Sequence, residues 1–317
     1  MKHLFIVNPA AGKCDRSVQV KALVDAVFGS RGLDYEVQVS KAPGDCTRLA
    51  RQASETGGEL RVYACGGDGT LHEVINGVAG FDHVAVTHFP VGSGNDFVKL
   101  FDRPEAFREL ESLLDTREAQ LDLICCQSGD ETRYSANICP LGLDARIGTA
   151  LPRYRRLPLV SGTGAYYISV VANLFKGISR PYTIDVDGRT ISGDQTLVCI
   201  CNGRFYGGSF NPVPDASPDD GLLDVLIIKP VNLLQVATII GEYQKGHYAK
   251  YPHLIDHFRT DRIRVQSEEE SVVNLDGEAL YSRDITFSVL PGRLRFFYPQ
   301  GVHMLSTERK EELAGAF

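Results

Sequence analysis

The segment Gly66-Gly67-Asp68-Gly69-Thr70 combines residue types that suit phosphate chemistry. It follows a strand-like run that ends at Cys65 and precedes apolar residues with helical spacing, namely Leu71, Val74, Ile75 and Val78. Glycines just before a helix let backbone N–H groups approach an anion closely. A carboxylate repels phosphate unless Mg²⁺ or a polar hydroxyl lies between them, so Asp68 indicates a nucleotide site and favours a kinase.

The same segment also has a purely structural explanation, a tight strand-to-helix turn with an incidental aspartate. Thr70 and Glu73 have the spacing of a capping box, which predicts that their side chains close the amino end of this helix.

Two further loops could share this chemistry. Asn8-Pro9-Ala10-Ala11-Gly12-Lys13 lacks the G-x-x-x-x-G-K-[ST] spacing of a P-loop, but Asn8 can hydrogen-bond a nucleotide and Gly12 allows a turn. Gly92-Ser93-Gly94-Asn95-Asp96 is predicted to open a helix with Asn95 and Asp96 in its first turn. Acidic residues there also suit the helix dipole, so a phosphate or metal loop and a structural loop both stay open.

Carboxylates also cluster in two later loops. Asp276-Gly277-Glu278 is either the commonest kind of hairpin turn or a rigid mount for a general base that accepts a proton from a hydroxyl. The loop 215–224 contains Asp215, Asp219, Asp220 and Asp224, which could bind a hard cation or simply form a solvated turn.

The elements that must position these loops fall into two groups. Up to about residue 124 strands and helices alternate, which predicts a doubly wound, Rossmann-like parallel sheet with helices on both faces. Ligands bind at the carboxyl ends of such strands, where Asn8, Asp68 and Gly92 all fall. This nucleotide-binding domain is predicted to span residues 1–124.

Strand-like runs dominate after residue 124, which predicts a mainly antiparallel β-sandwich over residues 125–299. Asp187-Gly188 predicts a hairpin, and helices are predicted at Ala165–Phe175 and Leu233–Tyr243. The tail, 300–317, is expected to pack back on the first domain, and its residues Met304 to Leu313 are helix-like.

Composition excludes several classes of protein. The chain of 317 residues carries a net charge of −7, which argues against a general nucleic-acid binder. Its eight cysteines include no C-x-x-C pair, so a zinc ribbon or thioredoxin chemistry is not expected and reduced thiols are.

No signal peptide and no apolar run long enough for a membrane span are recognisable, so a cytoplasmic protein that visits membranes transiently is expected. Arg153, Arg155 and Arg156 lie among apolar and aromatic residues, a composition that suits contact with a membrane surface, although a plain exposed loop fits it as well. A homodimer is compatible with the sequence, which contains no signal for oligomeric state.

Taken together, the chain resembles the diacylglycerol kinase catalytic family, specifically the soluble bacterial lipid kinases related to sphingosine and ceramide kinases. The resemblance rests on motifs spread from residue 3 to about residue 300. They are Asn8-Pro9-x-x-Gly12, Gly66-Gly67-Asp68-Gly69-Thr70, Gly92-Ser93-Gly94-Asn95-Asp96-Phe97, Gly164-Ala165-Tyr166, Pro218-x-Asp220-Gly221-Leu222-Leu223-Asp224 and Asp276-Gly277-Glu278. The glycine-aspartate loop is shared with NAD kinases and is similar to that of phosphofructokinases.

The resemblance implies an ATP-dependent kinase that phosphorylates a hydroxyl of diacylglycerol or a related lipid. It implies that Asp68 belongs to the Mg²⁺–ATP network, that Asp276 is the general base and that Glu278 positions the metal or the base. The implied nucleotide contacts are Asn8, Gly12, Gly66, Gly67, Gly69, Thr70, Gly92, Ser93, Gly94, Asn95 and Asp96. Asp220 and the backbone near Ser217 and Leu222 are implied to hold a structural Mg²⁺, which Asp122 connects to the active site.

Two alternatives stay open at this stage. An NAD kinase would share the glycine-aspartate loop, although the Asn8-Pro9 opening and the Asp276 turn argue against it. A nucleotide- or lipid-binding regulator without activity is the other alternative, and the presence of every expected catalytic carboxylate argues against it.

Overall fold

The structure is a computed structural model that describes residues 1–155, 177–208 and 210–305, without the side chains of residues 150–155. The chain forms two compact units. Unit 1 comprises residues 1–123, 218–221 and 290 onward, and unit 2 comprises residues 124–217 and 222–289. The predicted domain boundaries at residues 124 and 299 remain predictions, and by compactness the loop 218–221 and the chain after residue 289 group with unit 1.

The described residues contain these strands: β1 Lys2–Val7, β2 Tyr35–Val39, β3 Leu60–Gly66, β4 Val84–Pro90, β5 Thr116–Ser128, β6 Glu131–Ser135, β7 Ile138–Gly142, β8 Arg180–Val186, β9 Arg189–Gln195, β10 Leu197–Cys201, β11 Leu223–Ile228, β12 Ile255–Thr260, β13 Arg262–Leu275 and β14 Glu278–Pro299. Their helices are α1 Ser17–Phe28, α2 Asp45–Glu55, α3 Asp68–Val78, α4 Leu143–Arg155 and α5 Leu233–Gln244. Short 3-10 helices occur at Gly29–Arg31, Phe97–Leu100, Pro104–Arg108 and Tyr248–Lys250.

Unit 1 is built on a parallel sheet in the order β14-β4-β3-β1-β2, to which β14 contributes its last part. β1 lies between β2 and β3, so the chain leaves β1 in one direction and later returns to pair on its other side. This reversal of strand order lies at the carboxyl ends of β1 and β3, which is where ligands bind in sheets of this kind. Strands β1, β3 and β4 of this sheet are mostly buried and mainly apolar, which is typical of parallel strands.

Close packing in unit 1 occurs both within the sheet and between helices. In the sheet, the rings of Phe5 and Tyr63 stack with their centroids 4.0 Å apart. Between the helices, Gly77 of α3 lets α2 approach so closely that a side chain at this position would lie 2.5 Å from the carbonyl oxygen of Thr47. The position of α3 therefore depends on a glycine that helix propensity alone would disfavour.

Unit 2 is mainly antiparallel. Strands β12, β11, β10, β7, β13 and the first part of β14 lie side by side, and β8–β9 and β5–β6 form attached hairpins. Alternate residues of β10 enter different cores: Val198 and Ile200 pack among the strands, whereas Leu197, Cys199 and Cys201 pack with α5. The predicted fold class, a doubly wound α/β domain followed by an antiparallel β-sandwich-like domain, is confirmed.

The structure tests most of the predicted turns and helices. The hairpin at Asp187-Gly188 and the helix beginning at Leu233 are confirmed. The predicted helix after Gly92 is wrong, because Asn95 adopts a positive φ of 51° and only a 3-10 helix, Phe97–Leu100, follows. The predicted helix at Ala165–Phe175 lies outside the described residues.

No helix among the residues that the structure describes is long and apolar enough to span a bilayer.

Candidate active site

Hydrogen bonds join the three glycine-containing loops that follow β1, β3 and β4. The Asn8 side-chain amide donates to Thr70 Oγ1 at 3.0 Å, which ties the first loop to the second. The backbone N–H groups of Val91 and Gly92 donate to the carbonyl oxygen of Gly66 at 2.9 and 3.1 Å, which ties the third loop to the second. The predicted convergence of these loops at one edge of the sheet is therefore observed within unit 1.

The loops approach so closely that side chains would not fit between them. A Cβ atom at Gly92 would lie 2.5 Å from the Cα atom of Gly67, and one at Gly12 would lie 2.7 Å from the carbonyl oxygen of Val91. A Cβ atom at Gly66 would collide with the side chain of Thr70. Glycine is required here for close backbone packing, which also leaves the rim of the loops bare enough for a phosphate group.

Asp68 is the first residue of α3, and its carboxylate is held by the third loop. Its Oδ1 accepts hydrogen bonds from the backbone N–H groups of Asp96 at 2.6 Å and Phe97 at 3.4 Å. A methyl group at Gly94 would lie only 2.7 Å from Asp68 Oδ2, so glycine at this position keeps space beside the carboxylate. The half-exposed carboxylate is thus positioned before any ligand arrives.

The amino end of α3 carries no capping side chain among the described contacts, since its N-cap residue is Gly67. The predicted capping box of Thr70 and Glu73 is wrong, because the helix begins two residues before Thr70. Glu73 instead accepts the backbone N–H groups of Gly44 and Cys46, both at 3.0 Å, and so caps α2. The uncapped N–H groups of α3 suit an anionic ligand.

Asn95 adds a buried acceptor beside these loops. Its side-chain amide donates to the carbonyl oxygen of Gly92 at 2.8 Å, while its Oδ1 is buried and has no hydrogen-bond partner within the described part of the chain. Such an oxygen suits a donor from a ligand, for example a ribose hydroxyl or a metal-bound water. Ser93 is exposed at the rim, and Asp96 is buried and forms an ion pair with Lys99 at 2.5 Å.

His88 stabilises this loop cluster through a hydrogen bond. No motif in the sequence indicates this role. The residue is fully buried in β4, and its Nε2–H donates to the carbonyl oxygen of Gly66 at 3.1 Å. Burial lowers the pKa of His88 to about 4, so the ring is neutral at physiological pH. Because Gly66 also receives two backbone donors, its carbonyl oxygen joins β3 to the third loop.

Asp276 is held in unit 2 by the backbone, much as Asp68 is in unit 1. It occupies the β13–β14 turn at a positive φ of 50°. Its Oδ2 accepts the N–H of Ala136 at 2.9 Å and its Oδ1 accepts the N–H of Ile138 at 3.1 Å. One such bond per oxygen is compatible with proton acceptance, since a carboxylate offers about four lone-pair sites. Glu278, at the start of β14, is exposed.

The implied magnesium ligands include one residue with a clear structural task. The buried carboxylate of Asp122 accepts the N–H groups of Gly221 at 2.8 Å and Gly292 at 2.7 Å, and so fastens the loop 218–221 to β14. Asp220 and Leu222 are half-buried and Ser217 is buried. Carboxylate and carbonyl oxygens fit Mg²⁺ chemically. The described residues contain no group of three or more His, Cys, Asp or Glu side chains that could hold a metal. The implied site is of a different kind, because most of its ligands are backbone oxygens.

Unit 2 contains an apolar cavity. Its wall includes Leu143, Ile147, Leu197, Ile228, Val236 and Ile239. No sequence motif indicates this cavity, because its lining residues come from segments that are distant in the chain.

A few polar groups also line this cavity, among them Asp144, Tyr206 and Tyr243. Burial raises the pKa of Asp144 to about 6, against the smaller opposing effect of a hydrogen bond from Tyr206. The hydroxyl groups of Tyr206 and Tyr243 lie 3.2 Å apart. An apolar cavity with a few polar groups suits a ligand that is mostly hydrocarbon.

The predicted membrane contact falls on side chains outside those that the structure describes, namely Arg153, Arg155 and Arg156. The same holds for Gly164-Ala165-Tyr166.

A doubly wound α/β unit with glycine loops at its strand-order reversal is typical of proteins that bind nucleotides. The description "Diacylglycerol kinase catalytic domain" matches residues 2–130, and "YegS C-terminal NAD kinase beta sandwich-like domain" matches residues 137–298. The chain belongs to the family of bacterial diacylglycerol kinases and YegS-like lipid kinases, which are transferases.

Individual relatives cover nearly the whole chain. The protein named "Diacylglycerol kinase" from Bacillus subtilis (strain 168) is 26% identical over 313 residues, 97% of each chain. A Chromohalobacter salexigens protein named "Probable lipid kinase YegS-like" is 30% identical over 302 residues, 92% of this chain and 93% of that protein. The crystal structure of a diacylglycerol kinase from Bacillus anthracis str. Sterne shares the fold, with a TM-score of 0.66 and 22% identity over 94% of this chain and 97% of that one.

Proposed function

We propose that this chain transfers the γ-phosphoryl group of ATP to a hydroxyl group of diacylglycerol or a related lipid, in a Mg²⁺-dependent reaction. The observation that carries the proposal is the Asp68 carboxylate, which the Asp96 N–H holds at 2.6 Å. It lies among loops in which a Cβ atom at Gly12, Gly66 or Gly92 would collide with neighbouring atoms. A lone carboxylate in an anion-binding cradle is explained by a metal–nucleotide complex better than by a bare phosphate.

In this proposal the N–H groups of the glycine loops and of the amino end of α3 bind the phosphates. Asp68 and the loop around Asn95 bind the metal–nucleotide complex, and Asn8 keeps the first loop in place through Thr70. Mg²⁺, when bound, supplies charge neutralisation on the phosphoryl group in transfer. A structural Mg²⁺ held by Asp220 and the backbone near Ser217 and Leu222 would stabilise the loop that Asp122 already fastens.

Asp276 is proposed as the general base, with Glu278 beside it as a positioning group. The backbone N–H groups of Ala136 and Ile138 orient the Asp276 carboxylate. It accepts the proton of the lipid hydroxyl while the hydroxyl oxygen attacks the γ-phosphorus in line. The bond between the γ-phosphorus and the β–γ bridging oxygen breaks, and ADP leaves. Positioning and electrostatic stabilisation contribute most of the rate, and the base adds about 10²- to 10⁴-fold.

The acceptor is proposed to place its hydrocarbon part in the apolar cavity of unit 2. The wall of this cavity is apolar apart from a few polar groups, which is usual for sites that bind mostly hydrocarbon ligands. An acceptor of this kind resides in a bilayer, so the enzyme must associate with membranes at least transiently.

The test is transfer of label from γ-labelled ATP with Mg²⁺ to micelles of diacylglycerol, phosphatidylglycerol or a sphingoid base, with NAD as the soluble comparison. The informative variant is Asp276→Asn, because asparagine tolerates the positive φ but cannot accept the proton. Asp187→Asn is its matched control, since Asp187 occupies the other Asp-Gly hairpin turn of unit 2 at a φ of 49°.

We expect a labelled lipid product from the wild type and from Asp187→Asn, and a loss of at least about 100-fold in Asp276→Asn. An active Asp276→Asn enzyme would refute the assignment of the base. Label on NAD alone would refute the lipid acceptor.

A further inference from the structure

Helix α5 has an apolar face on the outside of the protein as well as one on the inside. Leu234 is 80% exposed and Leu233 is 58% exposed, in the first turn of the helix, and Ile240 is 41% exposed two turns later. Exposed Ala237 and Gly241 continue the same face, which bears no charged residue. We call these five residues the outer face of α5.

The inner side of the same helix contributes to the apolar cavity. Val236, Ile239 and Tyr243 line it, and Ile239 and Tyr243 pack into the adjoining core. Ile240 lines the cavity and is also partly exposed on the outer face. Apolar surface is therefore continuous from the outside of the protein, over Ile240, to the cavity.

The amino end of α5 is fixed firmly, which keeps the two leucines in place. Asn232 accepts the N–H of Gln235 at 3.0 Å, and the Gln235 side chain accepts the N–H of Asn232 at 2.9 Å. This capping box begins the helix at Leu233. The exposure of Leu233 and Leu234 is thus a feature of an ordered helix and is not caused by fraying.

We propose that the outer face of α5 is the surface that inserts into a lipid bilayer, and that the acyl chain of the acceptor passes over Ile240 into the cavity. This inference rests on the proposed lipid kinase activity for the nature of the cargo. A bilayer suits the face better than a charged partner, because the face has no charge and continues over Ile240 to the apolar cavity. Along this route a hydrocarbon chain would stay against apolar surface throughout.

The composition of the chain allows a direct test, because it contains no tryptophan. Leu234→Trp places a single fluorophore on the outer face of α5. Val18→Trp is the matched control, since Val18 is 76% exposed on α1. Each variant is mixed with phosphatidylcholine vesicles that contain diacylglycerol, prepared with or without bromine atoms on the acyl chains.

We expect the emission of Trp at position 234 to shift to shorter wavelength and to be quenched by the brominated vesicles, whereas Trp at position 18 keeps the emission of a solvent-exposed ring. High salt should leave the quenching unchanged, because insertion is apolar; a contact through arginines would weaken. Equal quenching at both positions, or none at either, would overturn the proposal. Emission at position 234 that is already shifted without vesicles and depends on protein concentration would also overturn it, in favour of a second copy of the chain on this face.

A second pair of variants measures the contribution to binding. Leu234→Glu should lower co-sedimentation with the same vesicles by roughly tenfold or more, whereas Val18→Glu should leave it unchanged. An unchanged Leu234→Glu variant would contradict the insertion.

Assaying phosphate transfer on these vesicles separates the two proposals. Quenching at position 234 without a labelled lipid would leave the membrane surface standing and refute diacylglycerol as the acceptor. A labelled lipid without such quenching would support the activity and refute the role of α5.

Discussion

Two carboxylates, Asp68 and Asp276, are each held by backbone N–H groups before any substrate is present. In both cases the donors come from a segment distant in sequence, so folding itself orients the charged oxygens. Preorganised groups of this kind avoid the cost of reorienting during a reaction. At the scale of single residues, the proposed chemistry therefore depends on backbone donors as much as on the acidic side chains.

Asp68→Asn should weaken nucleotide binding only when Mg²⁺ is present. Asparagine can still accept the Asp96 N–H, but it lacks the charge that a metal–nucleotide complex would use. We expect a loss of about tenfold or more in ATP affinity with Mg²⁺ and little change in EDTA, measured by titration calorimetry. Asp45→Asn, at the equivalent first position of α2, is the control; equal ATP affinity in both variants would contradict the role of Asp68.

Asp122→Ala should destabilise the protein even without metal. The change leaves the N–H groups of Gly221 and Gly292 without their charged acceptor, which should cost about 2 kcal/mol or more of unfolding free energy. Denaturant unfolding in EDTA measures the loss, and exposed Asp115→Ala serves as the control. A loss that appears only with Mg²⁺ would show that Asp122 acts through a metal alone.

At the scale of elements, helices α2 and α3 of unit 1 are joined by a reciprocal arrangement. α3 carries Glu73, which caps α2, and Gly77, which lets α2 approach closely. Among the described contacts no side chain caps the amino end of α3 itself, because its N-cap residue is Gly67 and Glu73 lies more than a turn into the helix. The proposed phosphate contacts use this amino end of α3.

Glu73→Ala should reduce stability by about 1–2 kcal/mol, because the N–H groups of Gly44 and Cys46 lose their acceptor. Thermal unfolding measures this, with Glu55→Ala, an exposed change on α2, as the comparison. Equal unfolding temperatures in the two variants would contradict the stabilising role of Glu73 as a cap of α2.

At the scale of the whole molecule, acid should affect the two units in opposite directions. In unit 1, His88 has a folded pKa of about 4 against an ordinary 6.5, so the folded state binds fewer protons between these values and loses stability as the pH falls from 6.5 toward 4. In unit 2, Asp144 has a folded pKa of about 6 against an ordinary 3.8, so the folded state binds more protons and gains stability as the pH falls from 6 toward 4.

Hydrogen exchange at pH 7 and pH 5, corrected for the intrinsic exchange rate, should therefore show protection falling in β3 and β4 relative to β10 and β11. The effect of His88 alone should be roughly 2 kcal/mol at pH 5. His88→Gln, which keeps an N–H donor toward Gly66, should remove the contribution of His88 to the loss in unit 1. The remainder comes from His3 of β1, whose pKa burial also lowers to about 4. An unchanged pH dependence in that variant would exclude His88 as the cause.

Much of this architecture was predictable from local patterns. The alternation of strands and helices predicted a parallel sheet, and period-two runs with Asp-Gly turns predicted the antiparallel unit, because these signals depend on neighbours close in sequence. The glycine loops were predictable as a site for the same reason, since backbone freedom and strand ends can be read locally.

The contacts of individual residues depend on tertiary packing and could not be predicted from local patterns. Glu73 has the spacing of a capping box with Thr70 but caps α2, because the pairing of helices depends on packing that no local spacing records. His88 and the cavity beside Asp144 had no local signal, since their partners are separated by long stretches of chain. The order of the elements and the chemical groups at the loop ends follow from local patterns in the sequence. The distances between those groups follow from tertiary packing, because hydrogen bonds and cavities form between segments that only folding brings together.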